Sequence, residues 1–454
     1  MENEIKQFIK EHREDDVRQL ALQASRYPAI DMPTVLTQIA GWQSIRDKVP
    51  TWAACDDIIY PPHLPLEQCS SEATANYKYG VVAKLGDHDS LADLTGGFGI
   101  DCWFMSHAFR HTTYVERQEE LVRIAEHNFQ ALSTLNIQRS LSGAASAKDA
   151  GNDFGESRQK IAVERGQAMF ASTRPSVSGL SNRTQSIINY QLSIINSNSE
   201  AWLSQHSSPV SWLYLDPARR DGHGGKTVAI SNCEPDVSRL EETLVQKADK
   251  VMVKLSPMLD LDLALHQLKH VQEAHIVSVD NECKELLLIL SKDTATDIDH
   301  TPIHCINIKK EETQAFVFTK AEEQQSAPDL AKSIGQTLYE PNASLLKAGA
   351  HRCLAQRFSL QKLHTNSHLY TSNQVITDFP GRIFQVEAVS GFGKKELKSL
   401  LGDITKANLT IRNFPASVAE LRKRLHLSEG GDTYLFATTL HPEEKILIKC
   451  KRII

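Results

Sequence analysis

The sequence predicts an α/β protein: an open, mostly parallel sheet, led in by helices and followed by a separate α+β unit. Three observations carry this. From about residue 80, apolar runs of strand length alternate with helix-length segments, the pattern of βαβ connections. One run, Ser90–Leu94, breaks into a glycine-rich turn at Thr95, Gly96, Gly97 and Gly99 before helical character resumes. Beyond about residue 340 the chain carries its own mixture of strand, helix and turn signals.

Taken in order, Ile5, Phe8 and Ile9, then Val17, Leu20, Ala21 and Leu22, recur at helical spacing, and prolines at 28, 33, 61 and 62 punctuate the run. Residues 1–78 therefore form a helical region. Ser90–Leu94 is the first strand, and Gly99–Ala108 a helix. Thr112–Val115 is β-rich and ends in Glu116. A helix follows over 117–135, with Leu121, Ile124, Ala125 and Phe129 on one face. Residues 139–190 are rich in Ser, Ala, Gly, Arg and Gln without a clear period, which predicts a flexible insertion. The tetrapeptide Ser-Ile-Ile-Asn occurs at 186–189 and again at 193–196, and the fold resumes at Ile194. Further strands are expected at Ser211–Leu215, Val251–Leu255, His275–Val279 and Leu286–Leu290, before a charged stretch over 300–340. The last part reads as a turn at Phe379–Arg382 and strands at Val386–Val389, Leu409–Arg412, Thr433–Thr438 and Lys445–Cys450. Helices are expected at Lys394–Leu401 and Val418–Leu425.

Composition narrows the function classes. At roughly 100–200 residues per domain, 454 residues make two to four domains. A net charge of −6 excludes a uniformly basic nucleic-acid coat. Residues 391–454 nevertheless hold 12 Lys and Arg against 7 Asp and Glu, a net of +5. That excess suits either a polyanionic partner or a solvated helical face. Eight cysteines at scattered positions form neither Cys-x-x-Cys pairs nor zinc spacings with histidine, so free thiols are expected. A charged start without an apolar core predicts no signal peptide, and no apolar run reaches the roughly 20 residues of a membrane span. The expectation is a soluble cytoplasmic protein with no membrane partner.

The chemistry concentrates where strands end. Asp93 closes the first strand, and the glycines after it let backbone approach a ligand closely. Glu116 closes the second strand, 17 residues after Gly99, where an acid can accept hydrogen bonds from ribose hydroxyls. Together they indicate a nucleoside-containing cofactor; the plain alternative is an ordinary βα turn beside a surface acid. Neither the Gly-x-Gly-x-x-Gly fingerprint nor a phosphate-binding Gly-x-x-x-x-Gly-Lys loop is present.

The loop Asp93-x-Thr95-Gly96-Gly97-x-Gly99 resembles the first motif of class I S-adenosylmethionine-dependent methyltransferases. The resemblance implies S-adenosyl-L-methionine as cofactor. Asp93, Thr95, Gly96, Gly97 and Gly99 would lie along its methionine part, and Glu116 on its ribose. A third family position, often Asp, lies near the adenine; the match here is Asn198. The fourth strand ends in Asp216-Pro217-Ala218-Arg219-Arg220. This is similar to the Asn/Asp-Pro-Pro-aromatic motif of nucleic-acid base methyltransferases, without the aromatic residue. Asp216 and Pro217 would hold the acceptor amine, and Arg219 and Arg220 would meet phosphate or a base. A helix-capping Asp with solvated arginines is the alternative. The segment is also similar to the Asp-Pro-Pro-Arg of cysteine-dependent base methyltransferases, for which Cys233 is the nearby thiol, although a lone Cys is more often a packing residue. Glu72, Thr74, Tyr77 and Lys78, upstream of the first strand, and Lys254 and Ser256, after the fifth, are further candidate contacts. For the first group the alternative is a helix capped by Ser70 or Ser71.

Segments at Tyr339–Ala343, Leu369–Ser372, Phe379–Arg382, Ile411–Pro415 and Leu421–Leu425 resemble a bacterial group of methyltransferases with a C-terminal ferredoxin-like segment and a THUMP-like domain. This implies a Rossmann-like class I methyltransferase domain over 79–298, a ferredoxin-like segment over 335–380 and a THUMP-like domain over 381–454. THUMP-type domains bind RNA, so the resemblance implies an RNA substrate, with Arg412, Arg422, Lys423 and Arg424 as phosphate contacts. The expected function is methylation of a base nitrogen in RNA. Methylation of a small molecule or protein, and a non-catalytic RNA-binding or cofactor-sensing role, remain the alternatives.

Overall fold

The computed structural model describes residues 3–146, 191–219 and 229–453. It divides into two compact units. The first comprises Met1–Gly225, Ile230–Lys254 and Leu290–Asp293; the second comprises Lys226–Ala229, Leu255–Ile289 and Thr294–Ile454. The expected methyltransferase segment 79–298 is shared between them. Among the described residues no helix is long and apolar enough to cross a membrane.

The first unit opens with helices α1 (Asn3–His12), α2 (Val17–Leu22), α3 (Met32–Ile45), α4 (Pro50–Ala53), α5 (His63–Gln68) and α6 (Glu72–Val82). Asp16 accepts the Gln19 N–H at the start of α2, and Ser71 accepts the Thr74 N–H at the start of α6. Ile5, Phe8, Ile9 and Val17 close on Leu20, Met32, Val35 and Ile39, as their spacing predicts.

The sheet of this unit is parallel throughout. Its strands are β1 (Ser90–Asp93), β2 (His111–Glu116), β3 (Gln191–Asn196), β4 (Val210–Leu215) and, after a two-residue antiparallel ladder of β5 (Ala218–Arg219) with β6 (Cys233–Glu234), β7 (Ala248–Leu255). The order is β7-β4-β1-β2-β3. Leu91–Asp93 and Ser211–Leu215 are buried without alternation, as strands covered on both faces must be. The chain builds outward from β1 to β3, then returns to the other side of β1 as β4. The C-terminal ends of β1 and β4 therefore flank a topological switch point.

Helices α7 (Ile100–Ser106), α8 (Glu119–Ser146), α9 (Ser199–Gln205) and α10 (Val237–Lys247) connect these strands. The N-terminal helices belong to the same core. Trp52 of α4 is fully buried, with its ring 5.0 Å from Phe98 and 6.3 Å from Phe129. Helix α8 runs on to Ser146, across the start of the expected insertion at 139. The remainder, 147–190, lies outside the described residues, as does the first Ser-Ile-Ile-Asn. The second copy forms the end of β3, which starts at Gln191 rather than Ile194.

In the second unit, β8 (Val271–Val279), β9 (Glu282–Leu290), β10 (Ile303–Ile308) and β11 (Thr313–Phe318) lie in the order β11-β10-β8-β9. Asp280 and Asn281, both at positive φ, make the turn between β8 and β9. The charged stretch expected over 300–340 is corrected: it contains β10, β11 and a helix at Lys320–Gln325. Neither strand alternates cleanly in burial, and lysines and glutamates flank both. A seven-stranded sheet follows: β12 (Thr337–Pro341), β13 (Gln361–Lys362), β14 (Tyr370–Ser372), β15 (Gly381–Ser390), β16 (Asn408–Arg412), β17 (Thr433–Leu440) and β18 (Glu444–Arg452), in the order β13-β14-β12-β15-β18-β17-β16. Helices at Lys394–Leu401 and Val418–Leu425 pack over one end of it. Gly381 and Arg382, expected in a turn, instead open β15, where they pair with Pro341 and Glu340.

The turn after β1 depends on close approach. A Cβ on Gly96 would sit 2.2 Å from the Tyr114 ring, so no side chain fits. Gly96→Ala is expected to destabilise the protein by about 1–3 kcal/mol through overpacking. Urea denaturation measures this, and an alanine variant of wild-type stability would contradict the packing.

Candidate active site

The rim of the switch point is built by the ends of three neighbouring strands. β1 delivers Asp93, buried, with the Thr95 N–H donating to its Oδ1 at 3.0 Å. The turn beyond is tied to both neighbours: Leu94 N–H donates to Tyr214 O on β4, and Gly96 N–H to Val115 O on β2, each at 2.9 Å. Gly99 adopts φ +89 and starts α7; a Cβ there would meet the Phe129 ring at 2.7 Å. Glu116 ends β2. Its Oε2 accepts the Gly97 N–H at 2.9 Å and its Oε1 the Gln118 N–H at 2.8 Å. An ionised carboxylate offers about four acceptor directions, so both oxygens keep capacity for hydroxyl groups. Asp216 follows β4, and its N–H donates to Thr95 Oγ1 at 2.6 Å. The structure thus brings Asp93, Thr95, Gly96, Gly97, Gly99, Glu116, Asp216 and the buried Pro217 to one rim.

Behind the rim lies a polar network that joins the candidates Lys78 and Lys254 to Asp101 and Tyr214, which the sequence did not single out. Asp101, in the first turn of α7, is buried among apolar neighbours. Its Oδ2 accepts the hydroxyls of Ser70 and Tyr214, each at 2.7 Å. Lys78, fully buried, places its Nζ 3.2 Å from Oδ1, and Lys254 Nζ lies 3.7 Å from Oδ2. Lys254 also bonds Asp216 Oδ2 at 2.5 Å. Burial pushes the Asp101 carboxyl up, but Lys78, Lys254, Tyr214 and Ser70 together hold it below the usual carboxylate range. Asp93 goes the other way. Burial pushes its carboxyl well above that range, the Thr95 N–H opposes this, and Asp101, Asp216 and Glu116 add to it. The excess of carboxyl groups over the two ammonium groups favours a cationic ligand here. The visible clue to Asp101 was a lone acid inside the apolar run Ile100–Met105.

Other candidates are engaged differently. Asn198 is exposed and caps α9, its side chain accepting the Ala201 N–H at 2.8 Å. Asn196, two residues earlier, donates through Nδ2 to the Glu116 carbonyl at 2.9 Å. Glu72 accepts the Thr51 N–H and hydroxyl at 2.8 and 2.7 Å, so it staples α6 to α4. Cys233 is buried in β6, whose backbone pairs with Arg219. Arg220 and the Arg219 side chain lie outside the described residues. In the second unit, Arg412 donates to the buried Glu340 at 2.9 Å. Arg422 donates to the Ala407 carbonyl at 3.3 Å. Arg424 lies 5.6 Å over the Phe392 ring, and it and Lys423 are exposed. These last three occupy the final turn of the Val418–Leu425 helix, where cations also complement the helix dipole.

Residues 338–380 match the family of ferredoxin-like domains, and residues 381–452 that of THUMP domain-like segments. No curated protein matches the chain. Among solved structures, M. capricolum TrmK in complex with S-adenosyl-homocysteine is 10% identical, with a TM-score of 0.27, over 49% of this chain and 70% of that one. A predicted RNA methyltransferase from Pyrococcus horikoshii is 11% identical, with a TM-score of 0.29, over 54% and 97%. No assignment rests on those two. The crystal structure of a predicted methyltransferase from Porphyromonas gingivalis W83 is 31% identical, with a TM-score of 0.78, over 99% of this chain and 98% of that one. With similarity running end to end, the chain belongs to the family of the P. gingivalis protein, the class I methyltransferases that carry a ferredoxin-like and a THUMP-like domain at their C-terminal end.

Proposed function

We propose that this methyltransferase uses S-adenosyl-L-methionine to methylate a base nitrogen in RNA, with the methyltransferase domain over 79–298. The observation that carries the reading is the convergence of Asp93, Glu116 and Asp216 at the ends of β1, β2 and β4, joined through Thr95 and Gly97. The residues fit the cofactor. Its sulfonium and ammonium charges suit a rim rich in carboxyl groups, and its ribose hydroxyls suit the spare acceptor directions of Glu116. A Cβ on Gly97 would meet nothing nearer than the Thr95 carbonyl, at 3.7 Å, so the turn leaves room for a ligand. Asp93 and the turn Thr95–Gly99 would hold the methionine part, and Glu116 the ribose.

The bound cofactor supplies an electrophilic methyl group. The chain supplies alignment. Asp216 is about one-third exposed, at 36%, and Lys254 engages one of its oxygens. The other oxygen would accept a hydrogen bond from an exocyclic amine, orient its lone pair and take its proton after transfer. Lys254 also joins Asp101, so the position of Asp216 is fixed from the buried side of the network. RNA as substrate is supported by the THUMP-like domain and by the net +5 of residues 391–454.

Transfer of tritium from labelled cofactor into total RNA tests the reading. Asp216→Ala is expected to lower transfer at least about 100-fold while cofactor binding persists. Label recovered only in protein or small molecules would remove RNA from the proposal. Binding should also be linked to pH. A cationic ligand favours the carboxylate form of Asp93, so binding lowers a raised pKa and releases a proton. Affinity therefore rises with pH until the titration of Asp93 in the free protein is passed. Calorimetry in buffers of different ionisation enthalpy reads the released proton, which Asp93→Asn should abolish. Finally, replacing Lys423 and Arg424 by alanine should weaken RNA binding and reduce its salt slope by about one per lost phosphate contact. An unchanged slope in filter-binding titrations would remove these two residues from the interface.

A further inference from the structure

The second unit holds a cluster that the methyl-transfer reading does not use. Glu273 and His275 stand two residues apart on β8, and therefore on one face of the sheet. His304 of β10 is the parallel partner of His275 in register, so its side chain shares that face. The two imidazoles stack with centroids 4.4 Å apart and planes 11° from parallel. Both turn their Nε2 toward the carboxylate of Glu273. His275 Nε2 lies 3.2 Å from Oε1, and His304 Nε2 lies 3.4 Å from Oε2. One donor atom from each residue falls within 4.8 Å of the others.

We propose that Glu273, His275 and His304 bind a zinc ion. Two imidazoles and one carboxylate form a recurrent zinc ligand set. A tetrahedral zinc with bonds of about 2.0–2.1 Å separates its ligand atoms by about 3.3 Å. The two nitrogen-to-oxygen separations, one to each oxygen of Glu273, are close to that spacing. The site is covered but reachable: the Glu273 and His304 side chains are 13% and 14% exposed. Three protein ligands leave the fourth position to water. The ion would cross-link two parallel strands that are separated in sequence by the whole of β9.

Zinc titration of the metal-stripped full chain against a chromogenic chelator tests this, with elemental analysis for stoichiometry. The expected result is one zinc per chain with a Kd below about 1 μM. Cobalt in place of zinc should give the visible absorption of a four-coordinate ion. His304→Gln and Glu273→Gln, both at partly exposed positions, should each weaken binding by more than the roughly 10–100-fold of an outer-shell change and abolish the cobalt bands. Circular dichroism of the metal-free variants separates lost ligation from lost folding, and the more buried His275 need not be touched. Either variant binding zinc as tightly as wild type while folded, or a wild-type chain with no stoichiometric site, overturns the proposal.

Discussion

Asp101 is a carboxylate taken out of water, and such a group is costly unless its oxygens are answered. The answers come from far apart in the chain. Ser70 precedes α6, Lys78 lies within it, Tyr214 is on β4 and Lys254 is on β7. The same group therefore registers the N-terminal helices, α7 and two central strands against one another. Breaking a buried pair of this kind typically costs about 3–5 kcal/mol, because the remaining charge is stranded. The rim in front inherits this constraint, since Lys254 divides its ammonium between Asp101 and Asp216.

Positions near one another in this network have opposite electrostatics for a physical reason. Asp101 meets two ammonium groups and two hydroxyls; Asp93 meets one backbone N–H and several carboxyl groups. The first is a structural ion pair, and at the second burial and the neighbouring carboxyl groups favour the protonated form.

The legible part of the sequence was where apolar runs stop. Asp93, Glu116 and Asp216 each terminate a run of buried strand residues, so their placement at the C-terminal rim follows from pattern alone. The helices Lys394–Leu401 and Val418–Leu425 were equally clear, the second opening on a Ser417 and Glu420 capping box. Asp101 and Tyr214 were hidden because they sit inside such runs, and their partners are brought in by tertiary packing. The strands β10 and β11 were obscured by flanking charge. The approach of His304 to His275 depends on β10 lying beside β8 rather than β9, a choice of strand order that no local pattern encodes.

The position of β3 has a consequence for how this fold can vary. It is the outermost described strand of its sheet and pairs with β2 alone. Residues 147–190 join the chain between α8 and this edge. Closing a longer loop costs only about 0.6 kcal/mol for each doubling of its length. Length can thus accumulate at that point without shifting the register of β1, β2 and β4, on which the rim depends. Added length there falls at the end of the order β7-β4-β1-β2-β3 opposite β7 and the ammonium it contributes.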